Sequence, residues 1–233
     1  MNQAKLAIGI AAYNDEKTIS NVIEESVRVL SSLTDRYQVL VINDGSSDST
    51  GRVARELEKR FPKLSVVEHA QNMGFGTTIR EAYLLPESEW VLFIPGDGQI
   101  PPSCLLRLFP YSETHDFVLG YRRQRKDPLS RKINSRCYNR FVSLLAGKKV
   151  KDVNSAGLLK RELIADVSFV SRGAFIHAEV LLNLLSRKGR FCEVEIEHKE
   201  RAFGEASGSK LSVMVGTAKD VVRYFKKVLF RLR

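Results

Sequence analysis

The stretch Leu6-Ala7-Ile8-Gly9-Ile10-Ala11-Ala12-Tyr13-Asn14-Asp15 runs from apolar residues into a polar turn. Leu6 to Ala11 reads as a buried strand, because a short continuous apolar run bounded by turn residues fits a strand covered on both faces. The same change recurs twice. Tyr37 to Ile42 leads into Asn43-Asp44-Gly45-Ser46-Ser47-Asp48, and Trp90 to Ile94 leads into Pro95-Gly96-Asp97-Gly98-Gln99. Between these strands the apolar spacing becomes helical, through Ile19, Val22, Ile23, Val27, Leu30 and Leu33 after Thr18. A second helix follows Ser49 as its cap, with Val53, Leu57 and Phe61 inward. Leu64 to Val67 forms another strand, and Asn72-Met73-Gly74-Phe75-Gly76 turns the chain into a helix through Arg80 and Tyr83. This alternation predicts an open, largely parallel α/β sheet in layers, which binds ligands at the carboxyl ends of its strands. The three polar turns are thus expected to share one edge, where a nucleotide would sit.

The second half is less regular. Phe117 to Gly120 predicts a short strand, Leu129 to Ala146 a helix carrying Arg131, Arg136 and Arg140, and Ser155-Ala156-Gly157 a turn or strand entry. A helix over His177–Leu185 and a strand over Phe191–Ile196 follow. At the end, Leu211, Met214, Val215, Ala218, Val221, Val222, Phe225, Val228, Leu229 and Leu232 repeat at helical spacing, opposite Lys219, Arg223, Lys226, Lys227 and Arg231. That pattern is a basic amphipathic helix. It either packs its apolar face on the domain or lies at a membrane interface, and its stripe could also recruit a membrane-protein partner or a second copy of the chain.

With 233 residues, 43% hydrophobic and 27% charged, the chain has the composition and length of one globular domain. The expected organisation is a domain over residues 1–210 followed by the helix at 211–233. Three cysteines at 104, 137 and 192 have no metal-ligand spacing and give no disulfide framework, which fits a reducing cytoplasm. No apolar run reaches the roughly 20 residues that cross a bilayer, and no signal-peptide core is visible. The formal charge of +10 is concentrated: residues 120–151 hold eleven basic side chains against one acidic, and residues 201–233 hold eight against two. Such a field favours an anionic partner, whether a phosphate-bearing substrate, an acidic membrane surface or nucleic acid. Nucleic acid is not expected, because the basic blocks lack interleaved aromatic stacking platforms.

The residue types suit a nucleotide site. Tyr13 can stack on a base, while Asp15 and Asp44 can accept hydrogen bonds from base and ribose. Asp97 and Gln99 offer hard oxygen atoms two residues apart, as a divalent cation beside phosphate requires. Taken singly, Asp44 and Asp48 suit turn or cap roles, Tyr13 a packed aromatic, and His177 and Glu179 the start of a helix.

Tyr13-Asn14-Asp15, Asp44-Gly45-Ser46, Asn72-x-Gly74-x-Gly76, Asp97-Gly98-Gln99, Gly120-Tyr121-Arg122 and Arg201-x-x-Gly204 follow the order and spacing of inverting family 2 glycosyltransferases. Over roughly residues 5–210 the chain most resembles the dolichol-phosphate or polyprenyl-phosphate sugar synthases. The resemblance implies a GT-A, Rossmann-like α/β/α fold with a mostly parallel mixed sheet. Its donor half would cover about 1–119 and its acceptor half about 120–210. It also implies a nucleotide-sugar donor, a divalent cation (Mg²⁺ or Mn²⁺) on the diphosphate, a polyprenyl-phosphate acceptor, and a peripheral place at the cytoplasmic membrane face.

Carried over residue by residue, the resemblance puts Ala11, Tyr13, Asp15, Ile42, Asp44, Asp97 and Arg201 at the nucleotide sugar, and Asp97 with Gln99 at the metal. Arg122, Arg131, Ser135 and Lys210 fall at the acceptor phosphate, with Asp97, Arg122 and Arg131 catalytic. The family usually has a D-x-D triplet where this chain has Pro95-Gly96-Asp97, so the first carboxylate is absent. A phosphate acceptor is already anionic and needs no strong general base, whereas a hydroxyl acceptor needs a carboxylate, for which Asp97 or Asp152 would serve. A transferase using a glycan hydroxyl, and a non-catalytic nucleotide-sugar- or nucleic-acid-binding protein, are the alternative functions.

Overall fold

The computed structural model describes residues 5–123, 129–200 and 211–231. Its strands are β1 (Leu6–Ala12), β2 (Tyr37–Asn43), β3 (Leu64–Glu68), β4 (Trp90–Pro95), β5 (Phe117–Arg122), β6 (Gly157–Lys160) and β7 (Phe191–Ile196). They form one sheet in the order β3-β2-β1-β4-β6-β5-β7. The sheet is parallel except for β6, which runs antiparallel to both β4 and β5. This is the layered, mostly parallel mixed sheet expected.

The helices are α1 (Ile19–Leu33), α2 (Thr50–Arg60), α3 (Phe75–Leu84), α4 (Cys104–Leu108), α5 (Leu129–Ala146), α6 (Ile176–Ser186) and α7 (Leu211–Arg231). Alternation along each strand divides the core. Leu6, Ile8 and Ile10 join Val39, Val41, Leu92 and Ile94 beneath α1, α2 and α4. Ala7, Leu40, Ile42, Val91 and Phe93 face the other way, onto α3 and α6 and the inner sides of α5 and α7. Each face is apolar because a central parallel strand is covered on both sides.

Element boundaries move by a residue or two from expectation, and two differences have a physical cause. Gly76 lies inside the first turn of α3 rather than in the loop, because Gly74, with φ of 91°, makes the sharp entry. The start of α2 is capped by Asp48, not by the Ser49 hydroxyl: Asp48 Oδ1 accepts the Thr50 N–H at 2.9 Å.

The seating of α7 has a physical cause of its own. Only part of its apolar stripe faces the domain, and Lys227, expected on the opposite side, faces inward. Asp220 and Lys227 point into the domain with Val221 and Tyr224, while Met214, Val215, Val222, Phe225 and Leu229 are exposed. Two buried acceptor systems set this rotation. Asp220 accepts the N–H groups of Arg172 (3.1 Å) and Gly173 (2.7 Å). Glu179, fully buried on α6, accepts the N–H groups of Val170 and Ser171 and the Lys227 ammonium at 3.2 Å. Leaving either carboxylate unpaired would cost more than exposing an apolar side chain, so the charges take the inner face. Among the described residues, no helix is long and apolar enough to cross a membrane.

Candidate active site

Parallel pairing brings the carboxyl ends of β1, β2 and β4 level, with Ala12 opposite Asn43 and Ala11 opposite Pro95. Because β6 reverses direction between them, β5 is parallel to β4 and ends at the same edge. So does β7, whose Ile196 pairs with Arg122. The turns after β1, β2 and β4, the end of β5 and the segment after β7 therefore share one rim.

The first two turns are tied together by short side chains. Asn14 Oδ1 accepts the Ser47 N–H at 2.9 Å, and Ser46 Oγ accepts the Asn14 N–H at 3.0 Å while donating to Asn43 Oδ1. Asn14 takes a positive φ of 55°, which asparagine tolerates, and Gly45 one of 66°. A β-carbon at Gly45 would also stand 2.5 Å from the Gln71 carbonyl carbon, so this turn is closed to larger residues. Tyr13 leaves its ring about half exposed on the rim. Asp15 Oδ2 accepts the Tyr13 N–H at 3.0 Å and lies against the third turn, 2.9 Å from where a Gly96 β-carbon would stand.

The third turn is fixed from below. Gly96 donates its N–H to Ala11 O at 2.8 Å, and its carbonyl accepts the Thr18 hydroxyl at 2.8 Å. Asp97 Oδ1 accepts the Gln99 N–H at 3.0 Å around Gly98, whose φ is 71°. The segment after β7 closes on it: Gln99 O accepts the Lys199 N–H at 2.8 Å, and the Gln99 side-chain nitrogen is 3.5 Å from His198 Nε2. Pro95 ends β4, so the turn contributes one carboxylate, with Gln99 and the His198 imidazole beside it. Among the described residues no three His, Cys, Asp or Glu side chains cluster as a metal site. Asp97, Gln99 and His198 supply oxygen and imidazole atoms of the kind Mg²⁺ or Mn²⁺ accepts, with the remaining positions left to phosphate oxygens and water.

Asp44 is buried, and three hydrogen bonds occupy its carboxylate: Oδ1 meets the Met73 N–H and His69 Nδ1, both at 2.7 Å, and Oδ2 the Gly74 N–H at 3.0 Å. It thereby welds the β2 turn to the loop entering α3. Ile42 lies wholly within the core, so any contact it makes with a donor is through its backbone. Ala11, nearly buried, contributes the carbonyl that holds Gly96.

On the acceptor side, Arg122 forms a buried bidentate pair with Asp152, Nε to Oδ2 at 2.6 Å and NH2 to Oδ1 at 2.9 Å, and NH2 also donates to Asn154 O. Fork geometry of this kind fixes the guanidinium plane. His177 lies beneath, 5.3 Å from the Phe93 ring and 5.9 Å from Phe75. Burial, reinforced by the Arg122 charge and opposed by Asp152, lowers its pKa to about 4, so the ring is neutral near pH 7. Ser135 lies on α5, half-buried. Arg131 belongs to the same helix, but its side chain is outside the described residues, as are Arg201 and Lys210 altogether.

Three contributors were not read from the sequence, and Asp152, read as an alternative base, was not read as the partner of Arg122, thirty positions away. His69 and His198 are lone histidines without a motif, and Thr18 resembles an ordinary helix start. Only the tertiary fold brings them to the rim.

The model of the family described as glycosyl transferase family 2 matches residues 7–176. Among curated relatives, the undecaprenyl-phosphate 4-deoxy-4-formamido-L-arabinose transferase of Proteus mirabilis is 25% identical over 213 residues, covering 90% of this chain and 64% of the relative. Its counterpart in Photorhabdus laumondii is 24% identical, with 90% and 65% covered. The chain thus spans somewhat under two thirds of these relatives. Among solved structures, glucosyl-3-phosphoglycerate synthase from Mycobacterium tuberculosis in complex with uridine diphosphate superposes with a TM-score of 0.72 at 18% identity, covering 93% of this chain and 80% of that one. The same enzyme with Mn²⁺, uridine diphosphate and glucosyl-3-phosphoglycerate gives 0.68 at 20% identity, covering 85% and 73%. The turns on the rim lie within the matched span, and the chain belongs to glycosyl transferase family 2.

Proposed function

We propose that this chain is an inverting glycosyltransferase that moves a sugar from a nucleoside-diphosphate sugar to polyprenyl phosphate at the cytoplasmic face of a membrane. One observation carries the reading: the turns bearing Tyr13, Asp15, Asp44 and Asp97 share a rim with the Arg122–Asp152 pair. Carboxylates and an exposed aromatic lie at one end, and a cation held in a fixed plane lies at the other. The activity of the curated relatives, transfer to undecaprenyl phosphate, supports the choice of acceptor.

In this reading Tyr13 stacks on the base, Asp15 and the turn built on Asp44 receive base and ribose, and Arg201 faces the donor phosphates. A divalent cation held by Asp97 and Gln99, with His198 at hand, would neutralise charge on the departing diphosphate; the Mn²⁺ and uridine diphosphate of the M. tuberculosis enzyme support that expectation. Arg122 and Arg131, with Ser135 and Lys210, orient the acceptor phosphate. A phosphate oxygen attacks the anomeric carbon from the face opposite the nucleotide. As that C–O bond forms, the bond to the diphosphate breaks and its electron pair leaves with the diphosphate. No proton has to be removed from the attacker. Asp152, the alternative base for a hydroxyl acceptor, is already bound to Arg122, which favours the phosphate.

A peripheral place at the membrane is supported by the outer face of α7, where Met214, Val215, Val222, Phe225 and Leu229 are exposed beside Lys219, Arg223 and Lys226. The experiment is product analysis with a radiolabelled nucleotide sugar and undecaprenyl phosphate. A lipid-linked product that releases its sugar in mild acid is expected. An acid-stable glycoside, or no transfer with any nucleotide sugar, would overturn the proposal.

A further inference from the structure

His69 belongs to none of the motifs that define the rim, yet it holds one of them. It follows β3, its N–H donates to Asn43 O at 2.9 Å, and its ring is almost fully enclosed. Nδ1 stands 2.7 Å from Asp44 Oδ1 and Nε2 stands 2.7 Å from Glu81 Oε2 on α3. A neutral imidazole has one N–H, so in that form one of these contacts would oppose two lone pairs; the imidazolium donates to both. We propose that His69 is a positioning residue of the donor site: as an imidazolium it clamps Asp44 between itself and the Met73 and Gly74 amides, and so sets the turn that receives the nucleotide. The inference rests on the donor reading above and names a residue through which that site is held.

The surroundings support a charged ring. Burial favours the neutral form, but the hydrogen bonds and charges of Asp44 and Glu81 outweigh it and hold the ring's pKa above the ordinary histidine value. Arg80, on α3, lies 3.8 Å from the other Glu81 oxygen. Glu68, next in sequence, is engaged with Arg55 at 3.6 Å. Raising the pH through the His69 pKa removes the charge and one of the two donated bonds. Asp44 then loses its lateral support, and donor affinity falls at alkaline pH.

The test uses the full chain with uridine and guanosine diphosphates plus Mn²⁺ as probes. Their dissociation constants are measured by calorimetry across pH 5.5–9, and the His69 ring is followed by NMR. Glu81→Gln keeps the shape of the site but removes one of the two charges that favour the imidazolium. It should move both the His69 titration and the alkaline loss of nucleotide affinity to lower pH. His69→Gln, which can donate to one carboxylate only, should weaken nucleotide binding by about tenfold and abolish its alkaline loss. Apparent acceptor KM should be unchanged in both variants. A His69 ring that titrates at or below the ordinary value overturns the proposal. Nucleotide affinity with the same pH profile in wild type and Glu81→Gln does so as well. Wild-type protein that binds neither nucleotide at any pH would instead sink the donor reading, and the positioning role with it.

Discussion

Arg122 and Asp152 meet through two parallel hydrogen bonds, Nε to Oδ2 at 2.6 Å and NH2 to Oδ1 at 2.9 Å, with both side chains almost wholly removed from water. The pair joins the end of β5 to the chain entering β6, and it holds flat the guanidinium proposed to face the acceptor. Asp152→Ala leaves a buried cation without its partner, a change that typically costs about 3–5 kcal/mol. Chemical denaturation should show a loss of that order. Replacing both residues by apolar ones of similar volume should recover most of the stability and none of the transfer activity. Equal stability of Asp152→Ala and wild type would mean that the pair contributes little to the fold.

Asp97 is expected to separate function from folding. Its carboxylate bonds the Gln99 N–H within its own turn, a local contact worth roughly 1 kcal/mol. Asp97→Ala should abolish turnover, with a far smaller effect on the unfolding midpoint. Full activity in this variant, measured with saturating donor, would remove Asp97 from the catalytic set.

His177, buried, and His69, nearly so, tilt stability in opposite directions. His177 has a folded pKa of about 4, below the ordinary value of roughly 6.5, so the unfolded chain binds more protons between these limits. Stability should thus fall as pH drops from about 6.5 to 4, by on the order of 3 kcal/mol. His69 has a raised folded pKa, so its contribution is complete below the ordinary histidine pKa and is lost as pH rises through the folded value. Unfolding free energies measured at several pH values should peak between the two limbs. His177→Phe should flatten the acid limb alone, and Glu81→Gln should shift the alkaline limb alone.

Much of this fold is visible in the sequence because local patterns decide it. The span of α5 over Leu129–Ala146 and that of β7 over Phe191–Ile196 match expectation to the residue. Each is bounded by polar or turn residues and carries one clear period. The rim is legible for the same reason, since a polar turn after a buried parallel strand must emerge at the carboxyl edge. Pairings across the fold are another matter. Nothing local links His69 to Asp44 or Arg122 to Asp152, which the sheet brings together from 25 and 30 positions apart. The facing of α7 misleads in the opposite sense. Hydrophobic spacing weighs its valines and phenylalanine, while its seating is set by Asp220 and Lys227, whose partners lie on the loop before α6 and on α6 itself.

That inverted seating gives α7 a testable outer surface. Val222, Phe225 and Leu229 are exposed at three- and four-residue spacing, and Lys219, Arg223 and Lys226 flank them in solvent. An apolar stripe between basic side chains fits the boundary of an anionic bilayer, where acyl chains take the apolar groups and headgroups the charges. The protein should sediment with vesicles containing phosphatidylglycerol and much less with phosphatidylcholine alone. Roughly 0.5 M salt should weaken the association, since it shortens the reach of exposed charges to a few ångströms. Replacing Val222, Phe225 and Leu229 together by serine should abolish the remaining binding. Because the three side chains are exposed and take no part in the hydrogen bonds of Asp220 or Glu179, thermal stability and nucleotide binding should be preserved. Retention of full vesicle binding by the triple variant would remove this face from the membrane contact. Self-association of wild type without lipid, lost in the variant, would assign the stripe to a second copy of the chain.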